Sequence, residues 1–204
     1  MVNPDDRALV IAVLGLGEAG SLIARDLVAA GARVRGYDPA VAAGPGITDT
    51  GSEAEAARGA DLVLSVNSAQ AAVDAFRAGQ PGLGSGAVWA DLNTASPGVK
   101  RELAGIAEAG GVTFADVAMM APVPGRGLRV PMLASGDGAD RYAGLLTPLG
   151  AGIEVLAGPR AMSSGYANIS APNWPRPMRS RSHCSWPAAR AASSASTMDA
   201  AMPL

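Results

Sequence analysis

An apolar run at residues 9–14 is followed by a segment of helical spacing and then by a second, shorter strand-like stretch. Leu9 to Leu14 contains no polar residue, which is typical of a strand buried on both faces. The next segment repeats apolar residues along one helix face and reaches Gly31, a residue type that commonly ends helices. Arg33 to Tyr37 then predicts a second strand. The pattern indicates a strand–helix–strand unit over residues 9–38.

The same alternation continues to about residue 156. We predict further strands over 61–66, 86–92, 112–117, 131–134 and 153–156, and helices over 52–57, 69–79, 98–109 and 139–146. Strands that alternate with helices of this length are typical of a doubly wound, mostly parallel α/β sheet. Ligands of such sheets bind beyond the carboxyl ends of the strands. The loops expected at that edge begin at Gly15, Asp38, Asn67, Asn93 and Met119.

Glycines mark the first of these loops, which reads Gly15-Leu16-Gly17-Glu18-Ala19-Gly20. Gly15 permits a tight turn, Gly17 lets the backbone approach a pyrophosphate, and Gly20 lets the helix pack closely on the strand. The helix N-terminus adds free N–H groups and a positive dipole end. Asp38 follows the second strand, 18 residues after Gly20, where a carboxylate accepts hydrogen bonds from a ribose. The arrangement predicts a dinucleotide site.

Two other interpretations of this loop stay open. In the first, the glycines serve only to form a tight turn, and the protein binds no nucleotide. This interpretation leaves the spacing of Asp38 unexplained. Alternatively, the loop binds S-adenosylmethionine, because methyltransferases also place an acidic residue after the second strand. Gly20 favours the dinucleotide, since it serves the close helix–strand packing of that fold.

Composition argues against several other classes of function. The 204 residues carry a net charge of −2, so nothing favours nucleic acid or an anionic membrane as a partner. A single cysteine, Cys184, excludes an internal disulfide framework and fits a reducing cytosol. The N-terminus lacks the pattern of a signal peptide, and no apolar segment approaches the roughly 18 residues of a membrane span. We expect a cytoplasmic protein with a small-molecule substrate and no bound metal.

The character of the sequence changes at about residue 161. Residues 161–204 contain four arginines, one acidic residue, and prolines at 172, 175, 177 and 187 that interrupt any long helix. We therefore predict a cofactor domain over 1–160 and an irregular tail rich in Pro, Ser and Arg over 161–204. The tail is either disordered or the product of a frameshift in a GC-rich gene. Translating the other reading frames of the gene would distinguish the two.

Several segments together resemble one family, the β-hydroxyacid dehydrogenases, relatives of 3-hydroxyisobutyrate and 6-phosphogluconate dehydrogenases. GLGEAGSLIARDLVAAG resembles their opening motif, DLNTASP (Asp91 to Pro97) is similar to their strand-end motif, and Phe114-Ala115-Asp116 resembles the strand that enters their substrate loop. The stretch DVAMMAPVPGRGLRVPMLASG is closer to a little-characterised branch. Over about residues 8–158 the resemblance implies a Rossmann-type NAD(P)-binding domain. In complete relatives an all-helical domain follows, completes the active site and forms the dimer.

The resemblance also implies which residues bind the cofactor. Gly15, Gly17 and Gly20 would hold the pyrophosphate, with the backbone of Leu16, Glu18 and Ala19 around it, and Asp38 would bind the adenosine ribose. Val66, Asn67 and Ser68 would form the loop near the adenine or the nicotinamide ribose, and Asn93 and Thr94 would approach the nicotinamide ribose. Asp38 favours NAD, because a carboxylate repels a 2′-phosphate and no arginine directly follows it. Arg33 and Arg35 on the strand leave NADP as the alternative.

The first departure from the family concerns substrate binding. The family's Ser-Gly-Gly, whose backbone N–H groups hold a carboxylate, is replaced here by Met120-Ala121-Pro122, and Pro122 has no N–H. We therefore expect substrate contacts from Met120, Gly125, Arg126 and Gly127, with Arg126 or Arg129 gripping an acid.

The second departure concerns the catalytic residue. The family uses a lysine on the first long helix after the cofactor domain, and residues 161–175 contain none. Lys100 is expected to face solvent, and His183 has no orienting partner, so no catalytic residue is assigned. The resemblance implies hydride transfer between NAD(P) and a small hydroxy acid or related carbonyl, by a chain that is incomplete as given. The alternative is a non-catalytic dinucleotide-binding module, and a homodimer is expected only with the helical domain.

Overall fold

One eight-stranded sheet organises the protein in a computed structural model, which describes residues 7–156. The strands lie in the order β3-β2-β1-β4-β5-β6-β7-β8. Their bounds are β1 (Val10–Leu14), β2 (Arg33–Tyr37), β3 (Ile47–Asp49), β4 (Leu62–Ser65), β5 (Val88–Asp91), β6 (Thr113–Met119), β7 (Met132–Ser135) and β8 (Ile153–Val155). All neighbouring strands are parallel except β6 and β7, which are antiparallel. The sheet confirms the predicted doubly wound, mostly parallel α/β fold.

Within residues 7–156, five α-helices connect the strands, at α1 (Glu18–Ala29), α2 (Glu53–Ala57), α3 (Ala72–Gly79), α4 (Pro97–Ala109) and α5 (Ala139–Leu146). Local signals fix where two of them begin. Ser52 accepts a hydrogen bond from the backbone N–H of Glu55 and caps α2, while Ser96 caps α4 ahead of Pro97. These helix starts agree with the sequence pattern.

The core consists of two apolar layers, one on each face of the sheet. On β1, Ile11 and Val13 point into one layer, while Ala12 and Leu14 point into the other. Helices α1 and α5 cover the first layer, and α2, α3 and α4 cover the second. Because both faces are covered, β1 is apolar at every position, which explains the uninterrupted run from Leu9 to Leu14.

The structure differs from the predicted elements at the sheet edges. Strand β3 is absent from the prediction, because it has three residues and only Ile47 is a large apolar side chain. Strands β7 and β8 run against the rest of the sheet, a direction that the apolar pattern does not encode. The domain boundary at 160, the tail over 161–204 and His183 lie outside the described residues, so those predictions stay open.

Within residues 7–156, no helix combines the length and the apolar character needed to cross a membrane. In the same range, no group of three or more His, Cys, Asp and Glu side chains is arranged to hold a metal ion.

Candidate functional site

The first loop joins β1 to α1, and its three glycines meet different surroundings. Gly15 has a φ of +95°, and a Cβ there would lie 2.4 Å from the carbonyl oxygen of Val66. A Cβ on Gly20 would lie 1.8 Å from the carbonyl oxygen of Gly15, so the helix presses directly on the turn. A Cβ on Gly17 would meet no atom within 4 Å, because that residue borders open space. The loop therefore needs Gly15 and Gly20 to fold, and Gly17 leaves room for a ligand.

Asp38 ties the end of β2 to this loop. Its Oδ2 accepts a hydrogen bond from the backbone N–H of Leu16 at 2.8 Å. Its Oδ1 accepts from the N–H groups of Ala40 at 2.8 Å and Val41 at 3.0 Å. A carboxylate offers about four acceptor positions, so about one is left for a ligand hydroxyl.

A cavity of about 740 Å³, which we call the cofactor cavity, lies at the carboxyl ends of the central strands. It is lined by residues that follow β1, β2, β4 and β5, on both sides of the point where the strand order reverses. The structure brings together all the predicted cofactor residues except Leu16 and Gly20, which lie behind the lining: Gly15, Gly17, Glu18, Ala19, Asp38, Val66, Asn67, Ser68, Asn93 and Thr94.

The ionisable side chains of the cofactor cavity are all acidic. Glu18, Asp38, Glu53 and Asp74 line it, and no arginine or lysine of the described residues does. Arg35 is one of the two strand arginines that kept NADP as an alternative cofactor. Its guanidinium donates a hydrogen bond to the backbone carbonyl of Arg58 and does not line the cofactor cavity. The N–H groups at the start of α1 therefore supply the positive end of the cavity.

A second cavity of about 330 Å³, the side cavity, lies next to the first. The two share Leu92, Asn93, Thr94 and Met119. Met120, predicted to contact substrate, lines the side cavity and is 46% exposed. The polar side chains in the walls of the side cavity are Asn93, Thr94, Lys100 and Asp116, and its other described lining residues are apolar.

The other predicted substrate residues lie elsewhere. Gly125, Arg126 and Gly127 line a separate cavity of about 410 Å³ beside α1. The Oδ2 atom of Asp26 on α1 accepts a hydrogen bond from the N–H of Leu128 at 3.0 Å and holds this loop against the helix. The structure does not bring the three residues into the cofactor cavity or the side cavity.

The expectation that Lys100 faces solvent is wrong, because only 2% of this residue is exposed. Its Nζ lies 2.5 Å from Oδ2 of Asp91 and 2.6 Å from Oδ1 of Asp116, and it donates to the backbone carbonyl of Asp91 at 3.2 Å. Nζ therefore donates hydrogen bonds to Oδ1 of Asp116 and to the carbonyl of Asp91, and it forms a close ion pair with Oδ2 of Asp91. The sequence offered one signal for this burial, since Lys100 shares a helix face with the buried Leu103, Ala104 and Ala107.

A buried row of polar side chains crosses the sheet at this point. Ser65, Asp91 and Asp116 are register partners on β4, β5 and β6, so they project to the same face. Burial raises the pKa of the Asp91 carboxyl above its usual value, and the neighbouring Lys100 ammonium opposes that rise. The sequence analysis did not assign Ser65, Asp91 or Asp116 to the site, because each of them lies inside or at the end of an otherwise apolar strand.

Asn93 connects this row to both cavities. Its Nδ2 donates to Oδ1 of Asp91 at 2.5 Å and to Oγ of Ser65 at 3.0 Å. Its Oδ1 is buried and has no hydrogen-bond partner in the structure. A buried acceptor without a donor is costly, and in a cavity wall it marks a place where a ligand's N–H or O–H group fits.

This geometry agrees with a family match. Residues 10–126 match the family model described as the NAD binding domain of 6-phosphogluconate dehydrogenase. The chain belongs to this family. The match confirms the resemblance drawn from the glycine loop and DLNTASP, and it identifies an NAD-binding domain rather than an S-adenosylmethionine site.

Solved structures with the same fold include oxidoreductases. A conserved hypothetical protein from Sinorhizobium meliloti 1021 is 29% identical, with a TM-score of 0.71 over 79% of this chain and 58% of that one. The 3-hydroxyisobutyrate dehydrogenase of Mycobacterium tuberculosis, solved with L-serine, is 26% identical, with a TM-score of 0.68 over 78% and 58%. An imine reductase variant from Myxococcus stipitatus, solved with NAD⁺, is 20% identical and shares the fold, with a TM-score of 0.68 over 78% and 58%.

The chain thus spans less than two thirds of the length of these solved relatives. No curated protein sequence matches it significantly.

Proposed function

We propose that this member of the family binds NAD in preference to NADP, as the cofactor-binding part of an oxidoreductase. The pyrophosphate would lie on Gly17 and the N-terminus of α1, and the adenosine ribose on Asp38. The other half of the dinucleotide would then extend toward Asn93 and Thr94, at the boundary with the side cavity. The residues present fit the cofactor, since Gly17 borders open space where the backbone must approach phosphate.

The observation that carries the preference is the charge of the cofactor cavity. Four carboxylates line it without any basic side chain among the described residues. A 2′-phosphate on the adenosine ribose would come close to Asp38 with no cation to offset the repulsion. NAD carries a hydroxyl at that position, and a hydroxyl can donate to the remaining acceptor position of Asp38.

We further propose that the reaction is hydride transfer to or from a small hydroxy acid or related carbonyl. NAD supplies the hydride chemistry when bound, and this chain binds and orients it. The family relative solved with L-serine supports a small hydroxy acid as substrate. The side cavity, with Met120 in its wall, is the proposed position for that molecule. The predicted roles of Gly125, Arg126 and Gly127 remain predictions, and the Asp26 contact holds them beside α1.

A second candidate function is a dinucleotide-binding module without catalysis. The observation that favours it is the ammonium of Lys100, which is buried and forms ion pairs with Asp91 and Asp116. These carboxylates hold Lys100 away from a substrate, and no other lysine occurs in the sequence. In this alternative the chain binds NAD with the same preference but turns over no substrate.

The cofactor preference is tested by titrating the 204-residue chain with NADH and NADPH and following nucleotide fluorescence. We expect NADH to bind at least about tenfold more tightly, which corresponds to about 1.4 kcal/mol. Asp38→Asn removes the charge and keeps one oxygen for Ala40 and Val41, so it should shrink the ratio at least about fivefold. Asp49→Asn on β3 is the matched control, because Asp49 is acidic and exposed but does not line the cavity. Equal affinities for the two nucleotides in the unmodified chain would contradict the proposal.

A further inference from the structure

We propose that Lys100 is a positioning residue for the cofactor site, because it holds Asp91 as the acceptor that fixes which way the Asn93 amide points. This inference rests on the proposed function, since it concerns the half of the dinucleotide that lies near Asn93. It assigns a role to a buried lysine that is neither exposed nor free to react.

The orientation of the Asn93 amide follows from its partners. An ionised carboxylate only accepts hydrogen bonds, so the Nδ2 of Asn93 must face Oδ1 of Asp91. The Oγ of Ser65 receives the second N–H of the same amide, at 3.0 Å. The remaining atom, Oδ1, is therefore fixed as an acceptor in a residue that lines both cavities. It selects a hydrogen-bond donor on the ligand.

This orientation depends on the charge of Asp91. A protonated Asp91 would carry an O–H group and could donate to Oδ1 of Asn93, which would turn the amide around. Burial favours that neutral form, and the ion pair with Lys100 at 2.5 Å opposes it. Asp91 is surrounded by Lys100 from α4, Asp116 from β6, Ser65 from β4 and Asn93 itself. Lys100 is the one cation among these neighbours.

Burying this lysine is costly, which argues for a role beyond packing. Replacement of a buried ion cluster by apolar residues is often neutral or stabilising, so stability alone is weak grounds for its presence. Lys100 and Asp116 lie in the wall of the side cavity, and one hydrogen bond joins Asp91 to the Asn93 amide that carries the unpaired acceptor. A positioning role connects both facts.

Two groups on the nicotinamide half of NAD can donate to Asn93, namely the ribose hydroxyls and the carboxamide NH₂. Four ligands separate these sources. ADP lacks the second ribose, ADP-ribose has it, NAD⁺ adds the carboxamide, and 3-acetylpyridine adenine dinucleotide replaces the carboxamide NH₂ with a methyl group. Calorimetric titration of the 204-residue chain with each ligand, for the unmodified protein and Lys100→Met, is the experiment.

We expect Lys100→Met to lower the affinity for NAD⁺ at least about tenfold and to leave ADP within about twofold. A parallel loss for ADP-ribose would identify a ribose hydroxyl as the donor. A loss confined to NAD⁺, with the acetylpyridine analogue unaffected, would identify the carboxamide. Arg101→Met is the matched control, because Arg101 is the next residue of α4 and is exposed. Unchanged affinities, or equal losses for all four ligands, would overturn the inference.

A second measurement avoids the variant, which is expected to be less stable. In the unmodified chain, the carboxyl ¹³C shift of Asp91 reports its ionisation. We expect an ionised Asp91 at pH 7, and a neutral Asp91 at that pH would overturn the inference. If the unmodified chain binds none of the four ligands, the proposed function itself fails, and the two failures are thereby distinguished.

Discussion

At the scale of single residues, the glycines of the first loop divide into two structural roles. Gly20 allows α1 to touch the turn, where any Cβ would lie 1.8 Å from a carbonyl oxygen. Gly17 has no such neighbour, and its φ of −61° suits any residue. Adding one methyl group, by substitution with alanine, is therefore expected to affect folding at Gly20 and ligand binding at Gly17.

We expect Gly17→Ala, at the N-cap of α1, to lower the free energy of unfolding by no more than about 1 kcal/mol and to weaken NADH binding at least about tenfold. The added methyl group would occupy the space that the pyrophosphate needs. Gly20→Ala should instead lower the free energy of unfolding by about 1–3 kcal/mol or more, because backbone must move. Urea unfolding and NADH titration of both variants check the pair. Undiminished NADH affinity in Gly17→Ala would count against the proposed position of the pyrophosphate.

The raised pKa of Asp91 has a defined consequence for stability. The unfolded carboxyl titrates near 3.8, so between that pH and the raised folded value the native state binds more protons than the unfolded chain. Stability attributable to Asp91 therefore falls as the pH rises through this interval. We expect the free energy of unfolding of the unmodified protein, minus that of Asp91→Asn, to decrease from pH 4 upward. A difference that increases with pH would mean that Lys100 pairing outweighs burial.

Lys100 also shows where prediction from the sequence reached its limit. Its helix position, three and four residues before Leu103 and Ala104, predicts the buried face. The general rule that lysine is exposed points the other way. The helix position predicts the burial of Lys100 correctly, because Asp91 and Asp116 compensate its charge. These two residues lie 9 and 16 positions away in the sequence. The glycine loop and Asp38, by contrast, could be predicted because their spacing is local to one strand–helix–strand unit.

At the scale of elements, the sequence predicts the helices and strands that have a repeating apolar pattern. It does not predict features that depend on which strands pair with each other. The helices and central strands follow from apolar spacing, because both layers of the core are built from those positions. The direction of β7 depends on which strand it joins, and a short segment such as β3 carries too few apolar residues to be recognised. The position of the 125–127 loop depends likewise on a distant contact with Asp26.

That contact gives a prediction at the same scale. Asp26 on α1 accepts the N–H of Leu128, 102 residues later in sequence. We expect Asp26→Ala to lower the free energy of unfolding by about 1–2 kcal/mol, since the acceptor is charged but partly exposed. The amide of Leu128 should exchange faster with deuterium, while NADH affinity stays within about twofold because the loop lies outside the cofactor cavity. Glu108→Ala on α4 is the control, because Glu108 is also acidic, is exposed and lies on another helix. A large loss of NADH affinity in Asp26→Ala would place this loop in the cofactor site.

At the scale of the whole molecule, binding and turnover separate. We expect the 204-residue chain to bind NADH with a dissociation constant on the order of 1 μM and to oxidise 3-hydroxy acids at no detectable rate. The described residues provide the cofactor cavity, whereas their lysine is buried in ion pairs with two carboxylates. General acid/base catalysis is worth typically about 10²–10⁴-fold in rate. NADH absorbance in a panel of such acids with NAD⁺ is the measurement. Robust turnover would contradict this prediction, because it would mean that the 204-residue chain supplies its own acid/base group.

The last prediction concerns the boundary at residue 160. Within the described residues 7–156, the chain already forms the eight-stranded sheet, both apolar layers and a lining for the cofactor cavity. A domain with its own core and sheet is expected to fold by itself. We expect a chain of residues 1–160 to unfold in one cooperative transition, with a melting temperature within about 2 °C of the 204-residue chain. Its NADH affinity should agree within about twofold. A loss of the transition, or of NADH binding, would show that residues 161–204 contribute to the fold or to the site, and the proposed domain boundary would then be wrong.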